Sequence, residues 1–378
     1  MELRVYHHPL CLYHENAPGH PERPERVQSI LRRIRTADYA LPLSLVEPEP
    51  ATRAEIERVH SSSYVDRVAA SAESDRTVFD ADTSANRHSY EAARLAAGGA
   101  LAATRAAVAG DDAYSFVAMR PPGHHAEHAA AMGFCLFNNV AIAAEEALAS
   151  GLKRVAIVDW DVHHGNGTEH SFASRSDVLY VSLHQASHYP GTGASSDVGV
   201  GDGVGHTINF PLPAGSGEAE YLRCFHEVIL PVLHQYDPEL LLVSAGFDAH
   251  ESDPLAGMLL DRNAYEAITD LLRSFADGIA PSRIVHLLEG GYDLEALSDG
   301  ADAVLSALAR GSASSDARVG EAGVSDPRAS ESPAAREPST ADEQTHDGFD
   351  TGYASRLAAA AIEETRSALR DYWSLDRC

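Results

Sequence analysis

Asp161 and His163 lie two residues apart at the downstream end of an apolar run, Val155-Ala-Ile-Val158. On an extended backbone their side chains point to the same side. A hard carboxylate oxygen and a borderline imidazole nitrogen aimed at one point suit zinc or a similar divalent ion. Taken alone, the pair also reads as a polar surface turn. Asp253, in an Asp-Pro step, is a third candidate ligand. Three protein ligands leave one coordination position open, the arrangement of a catalytic rather than a structural zinc site. Such an ion lowers the pKa of water and polarises a carbonyl. The tandem His124-His125 would supply acid–base capacity near neutrality. Tyr292, after Gly290-Gly291, can donate a hydrogen bond to a developing oxyanion. Together these groups describe hydrolysis of an unactivated amide.

Positioning them requires elements that converge. Five apolar runs each end in polar residues: Ser115–Met119 before His124, the run ending at Asp159, Val178–Val181 before Ser182, Leu240–Ala245 before Asp248 and Asp253, and Arg283–Leu288 before Glu289 and Tyr292. Helical patterns over 138–150, 218–235, 261–277 and 293–309 lie between or after them. Strands alternating with helices predict an α/β fold, a single domain with a mostly parallel sheet covered by helices on both faces. All five polar clusters then line one edge of the sheet. Upstream, a proline-broken start leads into a helix to about Arg35, with Pro24 in its first turn. An Ala-rich helix follows over 88–109. The domain is expected over 1–310. Residues 311–350, poor in apolar side chains, read as a disordered acidic linker or loop. Over 351–378 a helix is expected to dock on the domain, with Leu357, Ala361, Leu369 and Trp373 on or near one face.

Composition bounds the environment. Among 378 residues, 56 acidic and 29 basic ones leave a formal net charge of −27. Such a surface repels nucleic acid and anionic lipid, so direct nucleic-acid binding is not expected. Self-repulsion on this scale is relieved by concentrated salt, which predicts a halophilic host. No uninterrupted apolar span of about 18 residues exists, and no charged-then-apolar leader opens the chain. The expectation is a soluble cytoplasmic protein without a membrane partner; oligomerisation stays open. The four cysteines show no paired spacing, so neither a disulfide frame nor a thiolate zinc site is indicated.

The motifs RPPGHHA at 120–126, GFCLFNN at 133–139, DWDVHHGNGT at 159–168, YPGTG at 189–193, GFDAHESDPL at 246–255 and LEGGYD at 288–293 occur in this order. With them the chain resembles the zinc-dependent histone deacetylase family, including its acetoin-utilisation and acetylpolyamine relatives, over about residues 1–309. The resemblance implies an arginase/deacetylase-like fold and an amidohydrolase that removes acetyl from lysine side chains of proteins. It implies Zn²⁺ on Asp161, His163 and Asp253, with Fe²⁺ as an alternative. By the same likeness His125 acts as general base and then acid, while His124, paired with Asp159, stays charged. Tyr292 matches the catalytic tyrosine. Asn166 stands where some branches have Asp, which is similar to class II; a neutral partner leaves His125 less basic than a carboxylate would. Gly133, Phe134 and Tyr189 match the walls of the acyl-lysine channel. A structural potassium ion is implied at Ser182 and the backbones of Asp159, Asp161, His163 and Leu183.

Other residues carry plainer readings. Asp248 and His250 are expected to orient the loop or the ligands, and His184 to pack. His7, His8, His14 and His20 read as a solvated cluster near the channel mouth, Cys135 as a small buried residue, and Asp82 as a rim carboxylate. The main alternative substrate is a small acetylated amine such as an acetylpolyamine. One branch of those enzymes favours a glutamate just after the Asp-Pro pair; Leu255 stands there, favouring acetyl-lysine. An arginase-like ureohydrolase needs more carboxylates than this order supplies. A scaffold without turnover should lack Tyr292 or a ligand, and neither is missing.

Overall fold

The computed structural model describes residues 1–280, 282–310 and 351–375. The segment expected as a linker, 311–350, lies outside the described residues, as do the last three of the expected C-terminal helical stretch.

Eight strands form one sheet: β1 (Glu2–Tyr6), β2 (Leu43–Val46), β5 (Ala113–Val117), β6 (Val155–Asp159), β7 (Val178–Gln185), β8 (Thr207–Leu212), β9 (Leu240–Ala245) and β10 (Ile284–Leu288). Their order is β2-β1-β5-β10-β9-β6-β7-β8, and every pairing is parallel. The five expected strands occupy the continuous centre, β5-β10-β9-β6-β7. Strands β5, β6, β9 and β10 are buried at every position, the last three through runs rich in Val, Leu and Ile, so both faces of the sheet are covered. A separate antiparallel ribbon pairs β3 (Thr77–Val78) with β4 (Ser84–Ala85).

The strands the sequence did not announce are β1, β2 and β8, toward the two edges. Strand β2 is only partly buried. Strand β8 carries Pro211, which cannot donate to a ladder and is tolerated where no neighbour needs its amide.

Helices start where side chains can accept the free amides: Asn138 caps Asn139–Ala149, Asp261 caps Arg262–Ile279 and Asp293 caps Leu294–Ala309. Pro24 stands immediately before Glu25–Ile34. The stretch expected as one helix over 218–235 is interrupted by a π turn at Phe225–Ile229. The helices fall into two packed sets. One joins Glu25–Ile34, Leu294–Ala309 and Arg262–Ile279; the other joins Ser89–Ala109 and Asn139–Ala149.

Helix Thr351–Leu369 packs against β8. Its buried stripe is Ala354, Ala358, Ile362, Thr365 and Leu369. The expected face is therefore corrected: Leu357 is 42% exposed, because spacings of four, four, three and four residues select Ala354 and Ala358 instead. Thr365 Oγ1 donates to the Asn209 carbonyl of β8 (2.7 Å), and Trp373 Nε1 donates to the Gly205 carbonyl (2.7 Å). No helix among the described residues is long and apolar enough to cross a membrane.

Candidate active site

Parallel strands bring all their carboxyl ends to one edge, so the loops after β5, β6, β7, β9 and β10 meet there. The loop after β5 is held from beneath. Glu289, the residue after β10, accepts the amides of Gly123 (2.6 Å) and His124 (3.1 Å) and the Ser244 hydroxyl (3.2 Å). It is fully buried, and burial pushes its carboxyl up to about 7. Arg120 pairs with Glu22 inside the protein (Nη2–Oε2, 2.7 Å). Arg26 donates to the carbonyls of Gly291 (2.6 Å) and Glu289 (2.5 Å) and lies 4.9 Å over the Tyr292 ring. Sequence reasoning assigned no role to Glu289, Glu22, Arg26 or Arg120. A carboxylate or guanidinium on a strand end or early helix carries no label for a partner far away in the chain.

The two imidazoles of that loop sit 4.0 Å apart between ring centres but meet opposite surroundings. His124 Nδ1 faces Asp159 Oδ2 at 3.0 Å. Burial disfavours its charged form, yet Asp159, Asp161 and Glu289 outweigh that and push it up to about 10. His125 Nδ1 faces Asn166 Oδ1 at 2.8 Å. Burial, reinforced by the charges of His124 and His163, holds His125 well below the ordinary imidazole range. The surroundings thus favour the charged form of His124 and the neutral form of His125. Gly133 allows this packing: its φ is +55°, and a Cβ there would stand 2.2 Å from His125 Cδ2.

Asp161 and His163 converge, but in a bend that follows β6 rather than on an extended strand. Asp161 Oδ1 accepts the His163 amide (2.9 Å) and lies 3.1 Å from His163 Nδ1. Its Oδ2 accepts the Gly290 amide (2.7 Å). Burial opposes its charge, but His124 and His163 hold the carboxyl well below the usual range. Asp248 joins this pair. Its Oδ1 accepts the Val162 amide (2.9 Å) and its Oδ2 lies 3.2 Å from His163 Nδ1. Donor atoms of Asp161, His163 and Asp248 all lie within 4.8 Å of one another.

Asp253 is buried nearby but outside that group. Its Oδ2 accepts the amides of Tyr292 (2.6 Å) and Asp293 (3.2 Å), and its Oδ1 that of Leu255 (3.0 Å). This carboxylate ties the loop after β9 to the loop carrying Tyr292.

The donor set fits a divalent ion. Ligands about 2.1 Å from a tetrahedral centre lie roughly 3.4 Å apart, close to the distances from His163 Nδ1 to Asp161 (3.1 Å) and to Asp248 (3.2 Å). Asp159, Asp161, Asp248, Asp253 and Glu289 are buried with few cations among them. That excess attracts positive charge: hydrogen bonds to Asp161 and Asp248 outweigh burial and push His163 up to about 10. A metal ion would take the place of such a proton.

Aromatic rings surround these groups. Tyr189 meets His125 edge-on at 5.1 Å and His163 at 6.1 Å, and Phe134 meets Tyr292 edge-on at 5.8 Å. His188, unremarked in the sequence, stacks on His163 at 5.0 Å. Ser182 lies opposite Asp159 in the β6–β7 register, its hydroxyl 2.9 Å from His184 Nδ1; Leu183 is buried beside it.

The four N-terminal histidines do not form one solvated cluster. His14 is fully buried, its ring 2.7 Å from the Ser89 hydroxyl and 3.3 Å from Glu22. His20 alone reaches the rim, edge-on to Phe134 at 4.5 Å and 3.1 Å from the Asp82 carbonyl. Cys135 is buried and its thiol is pushed well up by burial.

The histone deacetylase domain family matches residues 20–308. The chain is similar to the histone deacetylase-like amidohydrolase of Pseudomonas aeruginosa, 39% identical over 304 residues that cover 75% of this chain and 80% of that protein. It is similar to the probable deacetylase of Archaeoglobus fulgidus, 36% identical over 297 residues covering 78% of this chain and 82% of that protein. Histone deacetylase 15 of Arabidopsis thaliana is 41% identical over 300 residues, 77% of this chain but 53% of its own length, so the chain spans about half of it. Among solved structures, the crystal structure of the HDA15 HD domain superposes with a TM-score of 0.82 at 33% identity, covering 98% of this chain and 96% of that one.

Proposed function

Because the chain belongs to the histone deacetylase family of amide hydrolases, we propose that it removes acetyl groups from lysine side chains of proteins and releases acetate. The observation that carries this reading is the pair of adjacent imidazoles, one facing the Asp159 carboxylate at 3.0 Å and the other the Asn166 amide at 2.8 Å, beside the Asp161–His163 donors. Asp161 and His163 would hold the ion, zinc by donor type with ferrous iron as the alternative. By the likeness to the family motif Asp253 would be the third ligand, while Asp248 completes the donor group around His163 (3.2 Å) and accepts the Val162 amide. When bound, the ion supplies Lewis acidity to the amide carbonyl and to the attacking water.

The residues of the chain divide the remaining work. Neutral His125 takes the proton from the water and later delivers it to the departing lysine amine. Charged His124, held by Asp159, stabilises the negative charge that develops on the carbonyl oxygen. The Tyr292 hydroxyl donates to the same oxygen; burial keeps it protonated, its pKa well above the usual phenol range despite Arg26. Phe134 and Tyr189 confine the acyl chain, with Gly133 making room for His125. Asp159, Asp161, His163, Ser182 and Leu183 are the proposed seat of a structural potassium ion. The −27 charge supports a salt-rich cytoplasm as the working environment.

Rates on an acetyl-lysine peptide and on acetylputrescine, measured with zinc-loaded protein in molar KCl, test the substrate. Faster turnover of the peptide is expected from Leu255; preference for acetylputrescine would move the assignment to small amines. Tyr292→Phe should lower kcat by about 10²–10³-fold with metal retained, and native turnover in that variant would remove the hydroxyl from the reaction.

A further inference from the structure

Asn166 must present its carbonyl oxygen, not its amino group, to His125 Nδ1. The two ends of an asparagine amide have nearly the same shape, so either can face the ring. Turned around, the NH₂ would require an unprotonated Nδ1 and would push the ring proton to Nε2. That would remove the lone pair from the nitrogen a general base must use. The environment of Asn166 decides between the two. Its Nδ2 is surrounded by acceptors: Glu127 Oε1 at 2.5 Å, with the His125 carbonyl and Met132 Sδ each at 3.4 Å. Of these, Glu127 makes the short contact, and a carboxylate has no hydrogen to give.

Glu127 is itself held in place. Its amide donates to the Ala130 carbonyl at 2.9 Å, and its own carbonyl accepts from His60 Nδ1 at 2.9 Å. His170 Nδ1 meets the same Oε1 at 2.8 Å. The side chain reaches a surface cavity of about 260 Å³, also lined by Arg58, His128, Glu145, His170 and Arg175. A four-residue chain thus runs from the buried base to the surface: His125, Asn166, Glu127, His170. The carboxylate that could have contacted the histidine directly stands one residue further out.

We propose that Glu127 is a positioning residue for this reaction: acting through Asn166, it keeps the His125 proton on Nδ1 and leaves Nε2 as the lone-pair nitrogen. The rate part of this inference rests on the deacetylase reading above; the tautomer part does not.

The test uses the zinc-loaded full chain labelled with ¹⁵N-histidine, in which ring nitrogen shifts separate the two neutral tautomers. The native protein should show His125 protonated at Nδ1 alone. Glu127→Gln keeps shape but can both donate and accept, so Asn166 is free to turn. It should add an Nε2-protonated population and lower kcat by about tenfold or more with KM little changed. Glu127→Ala, which leaves Asn166 facing water, asks the same question if the glutamine variant does not fold. Adding Asn166→Asp to Glu127→Gln should restore the Nδ1 tautomer and much of kcat, because an aspartate offers His125 only acceptors. A pure Nδ1 tautomer in both Glu127 variants, or a native kcat in either, overturns the proposal. Absence of all deacetylation in the native protein would refute the functional reading instead, with the tautomer comparison still decisive here.

Discussion

His60 is buried with both ring nitrogens engaged: Nδ1–H donates to the Glu127 carbonyl (2.9 Å) and Nε2 accepts the Asn138 amide (2.8 Å). Burial pushes it down to about 4 from an ordinary 6.5. Between those pH values the unfolded chain binds a proton that the native ring refuses. Its contribution is therefore whole above pH 6.5 and is lost as pH falls toward 4, on the order of 3 kcal/mol. His60→Gln can make both hydrogen bonds without titrating. Urea denaturation of the two proteins between pH 7 and 4.5 should show the variant losing less stability; parallel curves would refute this. A second side-chain question concerns the two aspartates near His163. Asp253→Asn should weaken metal binding by about tenfold or more, whereas Asp248→Asn should retain metal through dialysis. The reverse outcome makes Asp248 the third ligand. Sequence spacing made Asp161 and His163 readable as neighbours, although they meet in a bend after β6, where the Asp161 carboxylate accepts the His163 amide, and not on an extended strand. The sequence ranked Asp253 above Asp248, whereas the structure brings Asp248 into the donor group, because both follow β9 and only the path of the loop separates them.

Among the elements, the central strands were legible because burial on both faces favours runs rich in Val, Leu and Ile. The outer strands were not: β1 interleaves charges, and β8 contains a proline. The C-terminal helix was visible as a period but not as a face, because alanines dominate it and weaken the contrast between sides. Ile362 is its largest buried aliphatic group before Leu369 and is 1% exposed. Ile362→Ala should cost about 2–4 kcal/mol, read as a lower denaturation midpoint. A change below about 0.5 kcal/mol would show that this helix adds little to the stability of the sheet it covers.

Across the molecule, 56 acidic side chains against 29 basic ones predict that stability depends on salt. Mutual repulsion is screened as ionic strength rises, so the melting temperature should climb from low to molar KCl. A flat or falling curve would remove the halophilic reading. The residues alone settled the chemistry on offer: a carboxylate–imidazole pair, tandem histidines and a glycine-borne tyrosine, each on a local segment whose backbone geometry follows from its own pattern. They also settled that these segments end at one edge, because parallel strands leave no other arrangement. The assembled fold decided which distant groups touch. Glu289 under the histidine loop, Arg26 over Tyr292 and Glu127 behind Asn166 join segments 166, 266 and 39 residues apart. Such contacts depend on strand order and loop path, and no single residue type encodes either.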